Sequence, residues 1–320
     1  MSTITPCIHP NPDIAGIGVR VSVYTQAALN LICALIFAKD GQISDYEGTV
    51  LTSTSTNLFV TGFALLVNAF IQAKTTKFSV YHALIVLNLS WINALSAVLY
   101  PIINAVGMVM SLAHSLPPLS YSFTVFLLSI PYLTAMGAFG IFMWSTIDTF
   151  GDQSQCTPGI FFTIFSQNIP VTHPSLRKAS IGLYSVTVPP FVNIAIVILV
   201  SAAICILLSL SFACITAVLP VGDTDDEDFS RFLLTGAVVI AASLEILLIT
   251  DTELMIWRSV GIVVEAGESD WSFGQTLAMV LTVMPLFDTA RAVYNSWNAP
   301  GLWNVRARDA WRASEFVFNS

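Results

Sequence analysis

The stretch FVNIAIVILVSAAICILL, residues 191–208, decides the fold class of this chain. It contains no charged residue and is apolar on every face of a helix, whereas a membrane β-strand alternates apolar and polar residues over about ten positions. A bilayer core of about 30 Å needs about 20 mostly apolar helical residues. The stretch therefore predicts a transmembrane helix.

Six further stretches have the same length and character, so the chain is expected to be all-α, a polytopic transmembrane helical bundle of about seven spans. Turns and proline-rich segments separate them, as between residues 116 and 119 (LPPL). In chain order the seven expected spans are residues 18–38, 50–72, 80–103, 121–147, 190–219, 232–250 and 272–293.

The overall composition agrees with a membrane protein and excludes several functions. Only 10% of the 320 residues are charged and 55% are hydrophobic, whereas soluble domains contain roughly 25% charged residues. Twelve basic against twenty acidic residues give a net charge of −8, which does not suit nucleic acid. No phosphate-binding loop, nucleophile elbow or Cys-x-x-Cys occurs in the sequence. We expect no enzyme activity, no cofactor and no metal site.

The expected organisation is an extramembrane N-terminus (1–17), a seven-span domain (18–293) with a long loop (148–189), and a polar C-terminal tail (294–320). Basic residues divide six against six between the two sides, and discounting Arg177 and Lys178 in the long loop leaves four against six. This bias favours a cytosolic C-terminus and an N-terminus outside, in the plasma membrane or the secretory pathway.

Two cysteines lie outside the expected spans, and seven spans place both on the same side of the membrane. They are Cys7 and Cys156. If that side is extracellular or lumenal, the compartment permits a disulfide between them. The alternative is two unrelated free thiols.

Polar side chains follow one face of each of the first three spans. Amides facing lipid would be left without hydrogen bonds, so these faces should point into the bundle. Either they line a water-filled cavity, or they bond helices to one another. The residues are Ser22, Gln26, Asn30 and Cys33 in span one, Asn57, Thr61, Asn68 and Gln72 in span two, and Asn93, Tyr100 and Asn104 in span three.

Glu245 is the carboxylate placed deepest in an expected span, which makes it a candidate functional residue. Arg20, near the start of span one, is a possible partner, and Gln275 supplies an amide from span seven. We expect Glu245 to face the interior and contact one of these polar groups. The alternatives are a structural hydrogen bond for Glu245 and a side chain extended to the interface for Arg20.

Small residues spaced by seven along span five form a seam that allows close helix approach. The seam predicts a packing face, either within the bundle or in a homo-oligomer. Its members are Ala195, Ala202, Ser209 and Thr216.

Three stretches resemble a family of uncharacterised fungal polytopic membrane proteins: residues 13–26 (DIAGIGVRVSVYTQ), 244–251 (LEILLITD) and 271–286 (WSFGQTLAMVLTVMPL). The family tends to carry Asn where this chain has Asp251. The resemblance implies a seven-span protein of fungal origin and adds no catalytic residue. Physically, Asp13 is placed to cap helix one, and Gly16, Gly18 and Gly274 permit close backbone approach.

The polar faces and Glu245 make a channel- or transporter-like protein the leading hypothesis. The alternatives are a seven-span receptor or sensor and a structural subunit of a membrane complex. The lipid bilayer is the one partner the sequence specifies, and the ligand or ion stays open.

Overall fold

A computed structural model describes residues 7–40, 45–75, 78–114, 123–218, 226–260 and 263–298. Most of these residues are helical and two short strands form the sheet among them, which confirms the all-α fold class. The helices are α1 (Pro12–Ala15), α2 (Ile17–Asp40), α3 (Asp45–Thr75), α4 (Val80–His114), α5 (Phe123–Ser145), α6 (Pro174–Thr187), α7 (Pro190–Val218), α8 (Asp226–Ser259) and α9 (Phe273–Asn298). A 3-10 helix (Ser154–Gly159) and the strands β1 (Phe161–Ile164) and β2 (Gln167–Pro170) lie between α5 and α6.

Seven of these segments are long and apolar enough to cross a membrane, so the chain is an integral membrane protein with the expected multi-pass character. The first begins at Pro12 and the sixth continues to Ser259, each beyond the expected bounds. The segments are Pro12–Ile36, Gly48–Thr75, Val80–Ala97, Leu127–Ser145, Pro190–Thr216, Arg231–Ser259 and Phe273–Asn295. The tail from residue 299 onward lies outside the described residues.

The first span packs against four other long helices, and its neighbour α4 is the most deeply buried span of the seven. α2 packs against α3, α4, α8 and α9, whereas α7 lies at the edge against α4, α5 and α8. Large side chains such as Tyr132 and Phe139 fill the space between α3, α4 and α5 and are fully buried. Functional groups on α2 therefore face four helices at once.

The N-terminal segment and two loops meet on one side of the bundle. We call residues 7–11, 146–173 and 263–272 the N-side cap. The backbone N–H groups of Cys7 and Ile8 both donate to the carbonyl of Val263, and Glu265 N–H donates to the carbonyl of Ile8. Cys7 and Cys156 are joined as a disulfide with their Cα atoms 5.8 Å apart. The cap is therefore held by covalent and backbone bonds between segments far apart in sequence.

A buried hydrogen bond between His82 and Glu268 joins the cap to the start of α4. His82 Nε2 lies 2.8 Å from the Glu268 carboxylate, and His82 Nδ1 lies 2.9 Å from the Ser79 hydroxyl. Both His82 and Glu268 are buried. Asn11 N–H also donates to Glu268 at 3.3 Å, so this carboxylate contacts the N-terminal segment and α4 together.

The long loop contains a β-hairpin whose tip is bonded to α8. The strands pair antiparallel from Phe161 opposite Pro170 to Ile164 opposite Gln167. The two turn residues, Phe165 and Ser166, have positive φ angles of 48° and 63°, which two-residue hairpin turns require and which Gly or Asn adopt more readily. Asp251 stabilises this turn because its carboxylate accepts both turn N–H groups at 2.8 Å.

A second element of the long loop, α6, runs antiparallel along α5. Arg177 Nη1 donates to Asp148, just past the end of α5, and Thr134, eleven residues before Ser145, donates to the carbonyl of Val188. A Cβ on Gly140 would come within 2.3 Å of the Tyr184 ring. The sequence analysis expected only a loop here, because the prolines of this segment obscured a helix that depends on packing against glycines of α5.

Candidate functional site

Arg20 binds Glu253, not Glu245. Arg20 Nη1 pairs with both carboxylate oxygens of Glu253 on α8, and Arg20 Nε donates to the carbonyl of Ala15 at 2.9 Å. Tyr24 donates a further hydrogen bond of 2.8 Å to Glu253. Glu245 lies eight residues earlier on α8, about 12 Å along the helix, so Arg20 is not the partner of Glu245 that the sequence suggested as possible.

The polar face expected on the first span is buried, and it contacts α3 and α9. Ser22 donates to the carbonyl of Ala278 at 2.7 Å and shares a 2.7 Å hydrogen bond with Thr282. Gln26 accepts from Thr61 of α3 at 3.2 Å and also approaches Thr282. Within the described chain, these groups satisfy one another across helices, as interhelical bonding requires.

Asn30 is the centre of the next layer. Its Nδ2 donates to the backbone carbonyl of Ser96 on α4 at 2.9 Å. Its Oδ1 accepts from Thr54 at 2.9 Å and from Ser55 at 3.4 Å, both on α3. One amide therefore joins α2, α3 and α4, and all of these side chains are buried.

Glu245 lies against this layer, as expected for a residue that faces the interior. Its side chain is 2% exposed, and the Ser96 hydroxyl donates to its carboxylate at 2.5 Å. Glu245 precedes the end of α8 at Ser259 by fourteen residues, about 21 Å along the helix. Its partner is a span-three hydroxyl and not one of the amides that the sequence analysis named.

Gln275 connects the starts of α2 and α9. It is fully buried, accepts a 2.8 Å hydrogen bond from Gly18 N–H and donates to the carbonyl of Asp270. A Cβ on Gly18 would come within 2.7 Å of Gln275 Cβ, so the glycine allows this approach. Gln275 lies at the membrane-end layer of the bundle and does not contact Glu245.

Asp13 caps a different helix from the expected one. It lies inside α1, and its carboxylate accepts from Gly274 N–H at 3.0 Å, at the start of α9. A Cβ on Gly274 would lie 3.3 Å from Asp13 Cα. Two of the three stretches that carry the family resemblance therefore pack directly against each other.

The remaining candidates lie apart from the Glu245 layer. Asn68 accepts from Gln72, which in turn accepts from Asn11 beside the cap. Asn93 is buried where α3 and α5 meet, since a Cβ on Gly62 would contact both Asn93 and Tyr132. The side chains of Tyr100 and Asn104 lie outside the described part of the chain.

Four hydroxyl residues that bond to the polar side chains of the site were not predicted from the sequence. Thr54, Ser55, Ser96 and Thr282 are buried and bonded to the predicted amides or to Glu245. Serine and threonine are common in apolar helices, so their identity alone gives no signal. They lie on helices that neighbour those of Asn30 and Glu245, and the packing of the helices brings them into contact.

The described residues contain no group of three or more His, Cys, Asp and Glu side chains that could hold a metal ion. The arrangement in the membrane is a set of hydrogen-bonded layers along α2. Three carboxylates in the spans accept from hydroxyls: Glu245 from Ser96, Glu253 from Tyr24 and Asp288 from Ser53. Of these, Glu245 is the one about 21 Å from the end of α8. No family model, curated protein or solved structure matches this chain.

Proposed function

We propose that this protein is a membrane transport protein in which Glu245 is the site that binds a proton or a small cation. The single observation behind the proposal is the position of this carboxylate. It is buried within a span and hydrogen-bonded to Ser96, while Arg20, the basic side chain at a neighbouring depth, is bound to Glu253.

The surroundings of Glu245 support a binding role over simple packing. A carboxylate within a membrane is costly, and a structural contact to a serine could be made by a neutral side chain. Ser96 joins the carboxylate to Asn30 through its own backbone carbonyl, and Asn30 joins Thr54 and Ser55. A change in the charge of Glu245 would therefore alter a chain of hydrogen bonds that joins α2, α3 and α4.

The test is flux into liposomes that contain the purified protein. Proton, sodium and potassium uptake are measured across imposed gradients at several pH values. Glu245→Gln keeps shape and hydrogen bonding but removes the titration, so we expect flux to fall at least tenfold or lose its pH dependence. Ser243→Ala is the matched control, because Ser243 lies on the same helix, is exposed and bonds its own backbone.

Absence of all three fluxes in the wild-type protein, or identical flux in the Glu245→Gln variant at every pH, would overturn the transport proposal. The second candidate function is a seven-span sensor, and the observation that would then favour it is the cap, which closes the bundle on one side. Ile8, Val171 and Val264 are fully buried within it, which covers the bundle on this side.

We also propose that the N-side cap faces the extracellular or lumenal space. The support is the disulfide between Cys7 and Cys156, because disulfides persist in oxidising compartments. Thr172 is exposed in the cap and suits a labelling test. Thr172→Cys, combined with Cys214→Ser, should react with an impermeant maleimide on intact cells. Reaction that first appears when the plasma membrane alone is permeabilised, which opens the cytosol but not the lumen of internal membranes, would reverse the orientation.

A further inference from the structure

A cavity of about 500 Å³ lies between the β-hairpin and the end of α8. Its walls are of two kinds. Phe161, Val263 and Trp257 supply apolar surface, while Thr163, Asn168 and Arg258 supply polar groups. The cavity is separate from the Glu245 layer, since Arg258 lies thirteen residues beyond Glu245, about 20 Å along α8.

Exposed aromatic side chains place this cavity at a membrane interface. Trp257 is 76% exposed and Phe273, at the start of α9, is 81% exposed. Phe165 at the hairpin tip and Trp271 are exposed as well. Exposed Tyr294 follows Phe273 by 21 residues, about 32 Å along α9, close to the thickness of a bilayer core. Tryptophan and tyrosine concentrate at both membrane interfaces, so Trp257 and Trp271 mark the interface beside the cap.

Arg258 presents a positive charge to the cavity. Its Nη1 donates to the carbonyl of Ser166 at 3.0 Å and to Asn168 Oδ1 at 2.6 Å, both neutral acceptors. In the described part of the chain, no carboxylate lies within ion-pair distance of Arg258. The carboxylate of Asp251 on the same helix is taken up by the two N–H groups of the hairpin turn.

A guanidinium has five N–H donors in a fixed fork, so Nε and Nη2 of Arg258 stay available for an anionic oxygen pair. Phosphate is the anion that a lipid interface supplies, and the apolar wall formed by Trp257 and Phe161 suits the acyl chains below it. The cavity thus has one surface for the charged part of an amphipathic ligand and another for its apolar part.

We propose that this cavity binds a glycerophospholipid of the leaflet beside the cap, with its phosphate on Arg258 and an acyl chain against Trp257 and Phe161. The bound lipid would join the hairpin to α8 at the membrane surface. This site is independent of Glu245 and does not rest on the transport proposal.

Native mass spectrometry of the full-length protein with added phosphatidylglycerol tests the proposal. We expect Arg258→Gln to reduce the fraction of protein with bound lipid at least fivefold. Arg177→Gln is the matched control, because Arg177 lies on the same side of the bundle but is paired with Asp148. Equal lipid retention in the two variants would overturn the site.

Two further arms keep the test decisive. Trp257→Ala removes an exposed side chain, so folding is preserved and lipid retention should still fall severalfold; unchanged retention would contradict the proposal even if Arg258→Gln did not fold. Inorganic phosphate added alone at millimolar concentration should leave the lipid bound. Displacement of the lipid by phosphate would show a simple anion site instead.

Discussion

The helices α2 and α7 are both membrane spans, yet they occupy opposite places in the bundle. Half of the span that contains α2 is buried, whereas 8% of the α7 span is buried. α7 has the highest mean hydropathy of the seven spans, and α2 carries Ser22, Gln26 and Asn30 on its buried face. The most apolar helix is therefore the least buried, and a helix with a polar face is packed among four others.

The physical reason for this order is the solvent. Lipid tails are as apolar as leucine, so burying apolar surface between helices gains little, and association depends on close packing and hydrogen bonds. Polar groups must find partners inside the bundle. In α7 the hydroxyls of Ser211 and Thr216 bond to carbonyls of their own helix, so neither needs a partner on another helix.

The largest expected difference between the two helices comes from added volume. Gly18→Val should lower the free energy of unfolding by about 3 kcal/mol, because its side chain would meet Gln275 and disturb the hydrogen bond from Gly18 N–H. Ala202→Val on the exposed face of α7 should change it by less than about 0.5 kcal/mol. Unfolding in mixed micelles measures both. Equal losses would contradict the difference in burial between α2 and α7.

A smaller difference is expected from lost hydrogen bonds. Asn30→Ala removes a donor to Ser96 and an acceptor for Thr54 and Ser55, which should cost about 2 kcal/mol of unfolding free energy. Ser211→Ala on α7 removes a bond within one helix and should cost less than about 0.5 kcal/mol. The same micelle titration compares the two variants. A loss at Ser211 as large as that at Asn30 would argue for a buried α7.

The smallest effect is expected when a polar group is introduced on the exposed face of α7, the opposite change to removing one from α2. Ile206 is exposed, so Ile206→Asn would present an amide to lipid. That amide should favour association between copies of the chain by about 1 kcal/mol through amide pairing. Energy transfer between labelled proteins in liposomes measures it. Unchanged association would mean that this face of α7 is not in contact with lipid.

The seam of small residues on α7 is on the surface of the single chain. Ala195 and Ala202 are exposed, and Ser209 is half-buried. The structure thus excludes close packing of these two alanines within the bundle, and the homo-oligomer stays a prediction. The Ile206→Asn measurement needs the wild-type association as its reference, so it tests this prediction as well.

For much of the site, the sequence predicts which face of a span is buried. The buried face of span one follows from the spacing of Ser22, Gln26 and Asn30, since helix geometry places residues four apart on one side. The partners were not predictable in the same way. The sequence suggested Glu245 as a possible partner of Arg20. Arg20 instead binds Glu253, which lies nearer the membrane end and also accepts a hydrogen bond from Tyr24.

By itself, the sequence determined that this chain crosses the membrane seven times and which side chains need partners inside it. Those properties depend on local composition and on the cost of polar groups in lipid, and both can be counted residue by residue. Only the tertiary structure decided that α2 packs against α3, α4, α8 and α9, that Glu245 is bonded to Ser96, and that the long loop holds a hairpin fixed by Asp251 and a helix packed on Gly140. These contacts join residues far apart in the chain, and their geometry depends on how the helices pack, which hydropathy does not encode.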